Sequence, residues 1–239
     1  MRIAVSSRYD MDWDGWLSAA ARAGANLLVA GEYALDGSGG FESDAPAFDR
    51  IGASVAAHGV PLLLGYREDC TTGVYSSAQL IDGQGHSIAN SRSAHPCESR
   101  SFSVTPEAEG VDDGNWLTVC QGVDGRLSAL LGNDILFPEI ARAVMLKGAG
   151  LLIALRRRPF EDRELLRAIL RTRAYENALA VIGLFGDRVH AFAGDGSSLA
   201  PRPGENGLYL VDLPAISLAK PTRRPELYRQ LAVVDRQDG

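Results

Sequence analysis

The segment Leu127–Leu155, LSALLGNDILFPEIARAVMLKGAGLLIAL, constrains the fold of this chain more than any other. Its apolar runs at Leu127–Leu131 and Leu151–Leu155 have the length and composition of buried strands. Between them, Pro138 suits the first position of a helix and Gly148 the position just after its end. A strand, a helix and a second strand in this order predict a right-handed crossover whose two strands are parallel and buried.

The turn that follows the first of these strands is the first candidate for a functional site. Gly132, Asn133 and Asp134 come directly after Leu131, at the carboxyl end of the predicted strand. In α/β proteins this edge of a parallel sheet is the favoured place for ligands and chemistry. The sequence therefore predicts that chemistry, if present, is found at this turn.

Composition limits the class of protein and its partners. A length of 239 residues is enough for one large α/β domain, and 46% hydrophobic with 23% charged residues is ordinary for a globular chain. The net charge of −6 argues against nucleic acid and anionic membrane as partners. No run approaches the roughly 20 apolar residues that span a bilayer, and the N-terminus lacks a leader pattern. We expect a cytoplasmic protein.

The rest of the chain continues the alternation of strands and helices. Strands are expected at 2–6, 26–30, 61–65, 116–120, 126–131, 178–184 and within 204–213, helices at 13–23, 46–58 and 161–177, and a hairpin at 74–91. No internal repeat or linker interrupts the pattern. We therefore expect residues 1–239 to form a single domain.

Cysteines and basic residues give no sign of a metal or phosphate site. Cys70, Cys97 and Cys120 have unrelated spacings, which fit neither a disulfide framework nor a zinc site. The basic cluster Arg156–Arg158 is expected to be a solvated strand end. No cofactor or metal is predicted.

The turn at Gly132 resembles the nucleophile-elbow segment of the nitrilase superfamily, the carbon–nitrogen hydrolases. In that family the pattern is Cys, one residue, Asp, two residues, Phe-Pro-Glu, and then a helix that ends in Lys-Gly-Ala. Gly132 stands where the family has its nucleophilic Cys. The residues that match the pattern are Asp134, Phe137, Pro138, Glu139, Lys147, Gly148 and Ala149.

Two earlier segments resemble the segments that carry the family's other catalytic residues. AARAGANLLVAGEYALDG is similar to the first of them, and Glu32 matches the general base although Ala30-Gly31 replaces Phe-Pro. VYSSAQLIDGQGHSIANSRSAHP is similar to the second, and its Arg92 and His95 match. Ser93 stands where the family has its catalytic Lys. RTRAYENALAVIGLFG and RRPELY resemble the later family segments in the correct order, so the resemblance covers nearly the whole chain.

The resemblance implies an α/β fold, the four-layer α-β-β-α sandwich, and a site built around the positions of the Glu-Lys-Cys triad. It also implies a homodimer that pairs through helices at Glu139–Lys147 and Glu161–Asn177. The implied triad positions are Glu32 (retained), Ser93 (Lys position) and Gly132 (Cys position), and the implied pocket residues are Tyr33, Glu98, Asn133, Asp134 and Phe137.

Two functions from different classes remain open. Without a side chain at Gly132 the covalent route is removed, since losing the nucleophile of a catalytic triad costs on the order of 10⁶ in rate. The first hypothesis is an inert family member that binds a small amide-like or carboxylate molecule or serves as a partner subunit. The alternative is a hydrolase of amides, nitriles or N-carbamoyl compounds with rewired residues, although neither Cys97, Cys120 nor Ser93 is well placed to replace the nucleophile.

Overall fold

The computed structural model describes residues 1–8, 11–35, 46–95, 112, 114, 117–122, 125–215, 222 and 224–227. In chain order its strands and α-helices are β1 (Arg2–Ser6), α1 (Trp13–Arg22), β2 (Leu27–Ala30), α2 (Pro46–His58), β3 (Leu62–Cys70), β4 (Gly73–Ile81), β5 (Ser87–Arg92), β6 (Cys120–Gly122), β7 (Gly125–Leu131), α3 (Pro138–Leu146), β8 (Leu151–Arg156), α4 (Arg163–Asn177), β9 (Ala180–Phe185), β10 (Arg188–Phe192), β11 (Ser198–Leu199), β12 (Arg202–Pro203) and β13 (Leu208–Asp212).

These strands form two sheets. The first has the order β12-β13-β1-β2-β3-β4-β5 and the second the order β11-β10-β9-β8-β7-β6. Within the second sheet β7 and β8 run parallel, with Leu127 opposite Leu151 and Leu131 opposite Leu155. The crossover predicted from the sequence is therefore confirmed, and a parallel β1–β2–β3 unit forms the centre of the first sheet.

Alternation of side chains along the strands creates three apolar layers. Ile3 and Val29 of the first sheet pack against side chains such as Leu131 and Ile153 of the second, between the two sheets. The outer face of the first sheet packs against α1 and α2, and the outer face of the second packs against α3 and α4. Because a one-residue slip would turn every apolar side chain to the wrong face, this pattern fixes the register of the strands. The predicted α-β-β-α sandwich is confirmed.

The helices begin and end where the sequence supplies caps. Asp12 accepts a hydrogen bond from the Gly15 N–H at 3.2 Å, and Asp162 accepts one from the Leu165 N–H at 2.9 Å. Pro138 occupies the first turn of α3, as predicted. After the end of that helix, Gly148 adopts φ +100°, a conformation that favours glycine.

The main differences from the predicted strands concern β3, β6 and β10. β3 continues to Cys70 rather than ending at Gly65, because it pairs with β4 along its whole length. β6 covers Cys120–Gly122 rather than 116–120, and Trp116 lies outside the described residues. β10 was not predicted, although the Gly186-Asp187 turn before it is a hairpin signal. In the described part of the chain no helix is long and apolar enough to cross a membrane.

Candidate active site

A hydrogen-bonded chain of side chains and backbone joins the two sheets at the carboxyl ends of their parallel strands. It runs from Glu32, after β2, to Ser76 on β4 and then to Ser93, after β5. Ser93 in turn reaches Leu131 at the end of β7. The structure therefore brings the turns that carry Glu32 and Gly132 into one connected network.

Glu32 is a buried carboxyl group with two donors. Only 5% of the residue is exposed. The Ser76 hydroxyl donates to Oε1 at 2.7 Å, and the backbone N–H of Arg157 donates to Oε2 at 2.9 Å. Burial raises the pKa of Glu32 to about 7, against the opposing effect of these two hydrogen bonds and of the Arg156 charge. Glu32 therefore changes its protonation state near neutral pH, which is what a general acid or base requires.

The backbone at Glu32 is held by close packing. A Cβ atom at Gly65 would lie 2.6 Å from the Glu32 Cα and 2.6 Å from the Gly31 carbonyl oxygen, so β3 requires glycine there. The next residue, Tyr33, is buried and has φ +57°. Its carbonyl oxygen accepts a hydrogen bond from Arg157 Nη1 at 3.4 Å. These contacts direct the Glu32 carboxyl group towards the second sheet.

The turn after β7 is tied to its neighbours through the backbone. Gly132 has φ +56°, and its N–H donates to the Leu155 carbonyl at 3.0 Å. The Asn133 N–H donates to the His95 carbonyl at 3.3 Å. Asn133 is only 9% exposed, and its Oδ1 has no hydrogen-bond partner among the described residues. An acceptor of this kind is available to a ligand that carries N–H groups.

Asp134 clamps the turn to the segment that follows β5. The carboxylate is buried and accepts from the backbone N–H groups of His95 at 2.8 Å, Ala94 at 3.3 Å and Leu131 at 3.4 Å. The His95 ring lies 3.3 Å away through Nδ1. Asp134 therefore has a structural role, since its oxygens are occupied by the protein itself.

Ser93 is fully buried and is already hydrogen-bonded. Its hydroxyl donates to the Leu131 carbonyl at 3.1 Å, and its N–H donates to the Ser76 carbonyl at 2.8 Å. His95 turns its ring to Asp134 instead. In the described structure Ser93 therefore has no contact with an activating base.

The remaining predicted pocket residues lie further out or are not described. Phe137 is 36% exposed and stacks on the His95 ring at a centroid distance of 3.7 Å and an angle of 14°. It covers the Asp134–His95 contact from the outside. Glu98 lies outside the described residues.

No described cysteine replaces the nucleophile. Cys70 contacts Thr72 and the Gly73 carbonyl at the end of β3, and Cys120 donates to the Leu127 carbonyl at 3.6 Å. Burial raises the pKa of the Cys120 thiol, which disfavours the reactive thiolate. Cys97 lies outside the described residues. Among the residues that the structure describes, no three His, Cys, Asp or Glu side chains group as metal ligands would.

Sequence reasoning missed part of this site and misjudged another part. Ser76 was not singled out, although it hydrogen-bonds the central carboxyl group. The cluster Arg156–Arg158 is half-buried rather than a solvated strand end, because the chain after β8 turns towards Glu32. The position of these arginines at the carboxyl end of a parallel strand was the signal for their role.

Cavity size alone does not point to this site. A cavity of about 630 Å³ lies at the other end of the sandwich, where Leu27, Pro61, Arg126 and Leu151 mark the beginnings of their strands. Its lining includes neither Glu32 nor Gly132. The chemistry of the buried carboxyl group, not the volume, identifies the candidate site.

Comparison with known proteins identifies the family of the chain. The family model described as carbon–nitrogen hydrolase matches residues 11–185. The chain belongs to the carbon–nitrogen hydrolase family. A curated protein of Pseudomonas protegens, the hydrolase in the pqqF 5′ region, is 34% identical over 164 residues, which are 64% of this chain and 55% of that protein. The chain thus spans about half the length of that relative.

Solved structures of the carbon–nitrogen hydrolase family share the fold. An amidase from Nesterenkonia sp. superposes with a TM-score of 0.76 at 24% identity over 97% of this chain and 96% of its own. A variant of the Nesterenkonia sp. AN1 amidase, with acrylamide added at its active-site cysteine, gives a TM-score of 0.78 at 23% identity over 97% and 99%. A variant of that amidase in complex with butyramide gives 0.74 at 23% identity over 96% of both chains. At these identities the likeness establishes the two-sheet fold.

Proposed function

We propose that this carbon–nitrogen hydrolase family member is catalytically inert and binds a small amide-like or carboxylate molecule at Glu32, or serves as a partner subunit. One observation carries the proposal. The turn joined to Glu32 through Ser76 and Ser93 presents Gly132, which has no side chain, on a scaffold that otherwise keeps the site together. Gly132 and Ser93 then occupy the positions of the nucleophile and the cation of the triad.

The missing groups argue against efficient bond breaking. Covalent catalysis requires an activated nucleophile, and losing it in a comparable triad costs on the order of 10⁶ in rate. Replacing the cation by a serine also removes a donor to the developing oxyanion, a loss of about 3 kcal/mol or more. Because the Ser93 hydroxyl donates to Leu131, it does not compensate.

The groups that remain are suited to binding. Near pH 7 the Glu32 carboxyl group is present in both forms, so it can accept from an amide N–H or donate to a carboxylate. The Arg156 charge acts on the same carboxyl group and favours an anion beside it. The Oδ1 of Asn133, which has no hydrogen-bond partner among the described residues, supplies a further acceptor at the neighbouring turn.

The test combines turnover with binding. We expect no turnover of simple amides, nitriles or N-carbamoyl amino acids above background. Titration calorimetry with short amides and carboxylates should give saturable binding that Glu32→Gln weakens and that Glu164→Gln, an exposed change on α4, leaves intact. Turnover that Glu32→Gln abolishes would contradict the inert assignment.

The second candidate, a hydrolase with rewired residues, is favoured by one contact. The Ser76 hydroxyl lies 2.7 Å from Glu32 Oε1, within reach of a carboxylate whose pKa of about 7 suits a general base. In this case the Ser76 Oγ would bond to the amide carbon while Glu32 takes the hydroxyl proton. The C–N bond would then break as that proton passes to the leaving amine, and water would hydrolyse the acyl ester on Ser76. Mass spectrometry of the protein after incubation with an activated ester distinguishes the two functions. An acyl adduct on Ser76 that is lost in Ser76→Ala would establish the second.

A further inference from the structure

A cavity at the amino ends of the parallel strands lies apart from the site at Glu32. It has a volume of about 630 Å³ and lies at the end of the sandwich where β2, β3, β7 and β8 begin. None of its lining residues is on α3 or α4, so it does not use the faces through which the chain is expected to pair. We call it the base cavity; its apolar walls are formed by Leu27, Pro61, Leu80, Ile88, Leu127 and Leu151.

The inner wall of the base cavity is the apolar layer between the two sheets. Leu27, Leu80, Leu127 and Leu151 belong to that layer, and each is at most 4% exposed. Ile88 on β5 also lines the cavity but is 48% exposed, which places it at the mouth. An apolar interior that ends in an exposed isoleucine suits the hydrocarbon part of a ligand.

Glycines leave the rim of the base cavity without side chains. Six of the lining residues are of this kind: Gly59, Gly83, Gly122, Gly125, Gly148 and Gly150. A Cβ atom at Gly122 would lie 2.8 Å from Leu127 Cδ2, and one at Gly148 would lie 3.0 Å from Arg126 Nη1. Glycine at these two positions therefore leaves room for a wall leucine and for the arginine beside it.

One of the two charged groups that line the base cavity is neutralised and the other is not. Asp82 accepts from the backbone N–H groups of Gln84 and His86, each at 2.9 Å, and its second oxygen lies 3.4 Å from His86 Nδ1. Arg126, by contrast, has no carboxylate within 4.0 Å among the residues that the structure describes. Its guanidinium lies beside Gly148 instead. The cavity therefore carries an uncompensated positive charge.

The charge of Arg126 reaches the apolar wall. Burial raises the pKa of the Cys120 thiol, and the charge of Arg126 acts in the opposite direction. Cys120 packs against the layer between the sheets and lies opposite Leu127 in the β6–β7 pair. A negative group beside Arg126 would therefore lie next to the hydrocarbon lining of the cavity.

We propose that the base cavity binds an aliphatic carboxylate of medium chain length. The hydrocarbon chain would lie along the leucine walls and would cover Ile88. The carboxylate would accept charge-assisted hydrogen bonds from the guanidinium of Arg126. The volume of the cavity is in the range of small-molecule sites. An alkylammonium ion of the same length is disfavoured because Arg126 would repel it.

Calorimetric titration of the full chain with octanoate tests the proposal. The titration uses wild type and Glu32→Gln, which removes the carboxyl group from the other site, and we expect one octanoate site that both proteins share. Acetate should bind Glu32→Gln at least about tenfold more weakly than octanoate, since it has no chain to bury. In the same background Arg126→Gln should weaken octanoate binding by about tenfold. Ile88→Glu should weaken it as well, because it places a carboxylate at the mouth.

Arg50→Gln is the matched control. It removes an exposed arginine from α2 and should leave octanoate binding unchanged. Circular dichroism of each variant shows whether a loss of binding comes from unfolding.

Three results would overturn the proposal. The first is octanoate binding that disappears in Glu32→Gln, which would place the ligand at the other site. The second is an equal loss of affinity in Arg126→Gln and Arg50→Gln, which indicates unspecific charge attraction. The third is octylammonium binding as tight as that of octanoate, which would leave Arg126 without a part in recognition.

Discussion

Glu32 is a carboxyl group whose surroundings make its ionisation costly. Two donors, the Ser76 hydroxyl and the Arg157 N–H, do not replace the water that burial removes. The pKa consequently rises from 4.5 to about 7. A site of this kind holds a proton near neutral pH, and that proton is available to a ligand.

Replacing Glu32 by Gln should therefore stabilise the protein increasingly as the pH rises. Below pH 4.5 the Glu32 carboxyl group is protonated in both the folded and the unfolded chain, so the stabilities of the wild type and of Glu32→Gln depend on pH in the same way. Between 4.5 and about 7 only the unfolded chain releases the proton, which lowers the stability of the wild type. Between pH 4 and pH 8, the free energy of unfolding of Glu32→Gln relative to that of the wild type should increase by about 3 kcal/mol. Urea denaturation at both pH values measures this gain.

The control for this measurement is Glu164→Gln on the exposed side of α4. Its stability relative to the wild type should change little over the same range. A difference between wild type and Glu32→Gln that does not depend on pH would contradict the raised pKa.

Glycine is required at position 65 because a side chain there would collide with the backbone at Glu32, and not because of its backbone conformation. Its added Cβ would meet backbone atoms of Gly31 and Glu32 at 2.6 Å, and backbone atoms cannot move aside as flexible side chains do. Gly65→Ala should lower the free energy of unfolding by about 1–3 kcal/mol. Gly59→Ala is the matched control, since a Cβ there meets nothing within 4 Å and φ +69° alone costs about 1 kcal/mol. Chemical denaturation of both variants decides between steric and conformational causes, and equal losses would contradict the steric account.

At the scale of elements, local patterns predicted the helices and the buried strands, and pairing across the chain decided the rest. The range of α2 agrees with the prediction because Pro46 and His58 mark its ends. The extension of β3 was not predictable from its polar sequence. Glu68 can be buried there because Ser77, Asn90 and Arg92 all donate to its carboxylate, and Arg92, 24 residues later, does so twice, at 2.8 and 2.7 Å.

The candidate site shows the same division. The segments that resemble family motifs predicted from the sequence that Glu32 and the Gly132 turn belong to the candidate site. Contacts between distant segments could not be predicted in this way, because Ser76 and Arg157 lie 44 and 125 residues from Glu32 in the chain. The burial of each site residue and its hydrogen-bond partners, which decide its protonation and its role, cannot be predicted from a motif.

Helix α4 supports the Gly132 turn through one buried arginine. Arg173 donates from Nε to the Ile135 carbonyl at 3.2 Å and from Nη2 to the Leu136 carbonyl at 3.0 Å. Arg173→Met keeps the apolar length of the side chain but leaves these carbonyl groups without donors. We expect a loss of roughly 2 kcal/mol in the free energy of unfolding. Arg171→Met, exposed on the same helix, should change it by less than about 0.5 kcal/mol.

Urea denaturation measures both changes to α4. Equal stability of the two variants would show that the contacts of Arg173 with the turn contribute little.

At the scale of the whole molecule, the site depends on how the two sheets meet. Glu32 accepts one hydrogen bond from each sheet, from Ser76 on β4 and from the backbone of Arg157 after β8. Because the apolar layer between the sheets fixes their separation, changes in that layer would alter the site without touching it. The outer faces of α3 and α4, by contrast, carry exposed apolar side chains in the described structure.

We expect the protein to be a homodimer that pairs through α3 and α4. Large apolar side chains are exposed on these helices, with Leu146 at 54% and Tyr175 at 69%, and burying them would favour association. A stable two-fold interface needs about 800 Å² from each partner, which two helices can supply. Light scattering at micromolar concentration should give twice the mass of the chain. Leu146→Glu/Tyr175→Glu should give the monomer, since each glutamate would place a charge in the interface.

Ile88→Glu separates an interface effect from a change in surface hydrophobicity. Ile88 on β5 is 48% exposed, comparable to Leu146, but lies on the first sheet, away from α3 and α4. The dimer should therefore persist in Ile88→Glu. A wild-type monomer would contradict the dimer itself, and dissociation by Ile88→Glu alone would move the interface to the opposite side of the sandwich. In either case α3 and α4 would expose their apolar side chains for another reason, and pairing through these helices would be wrong.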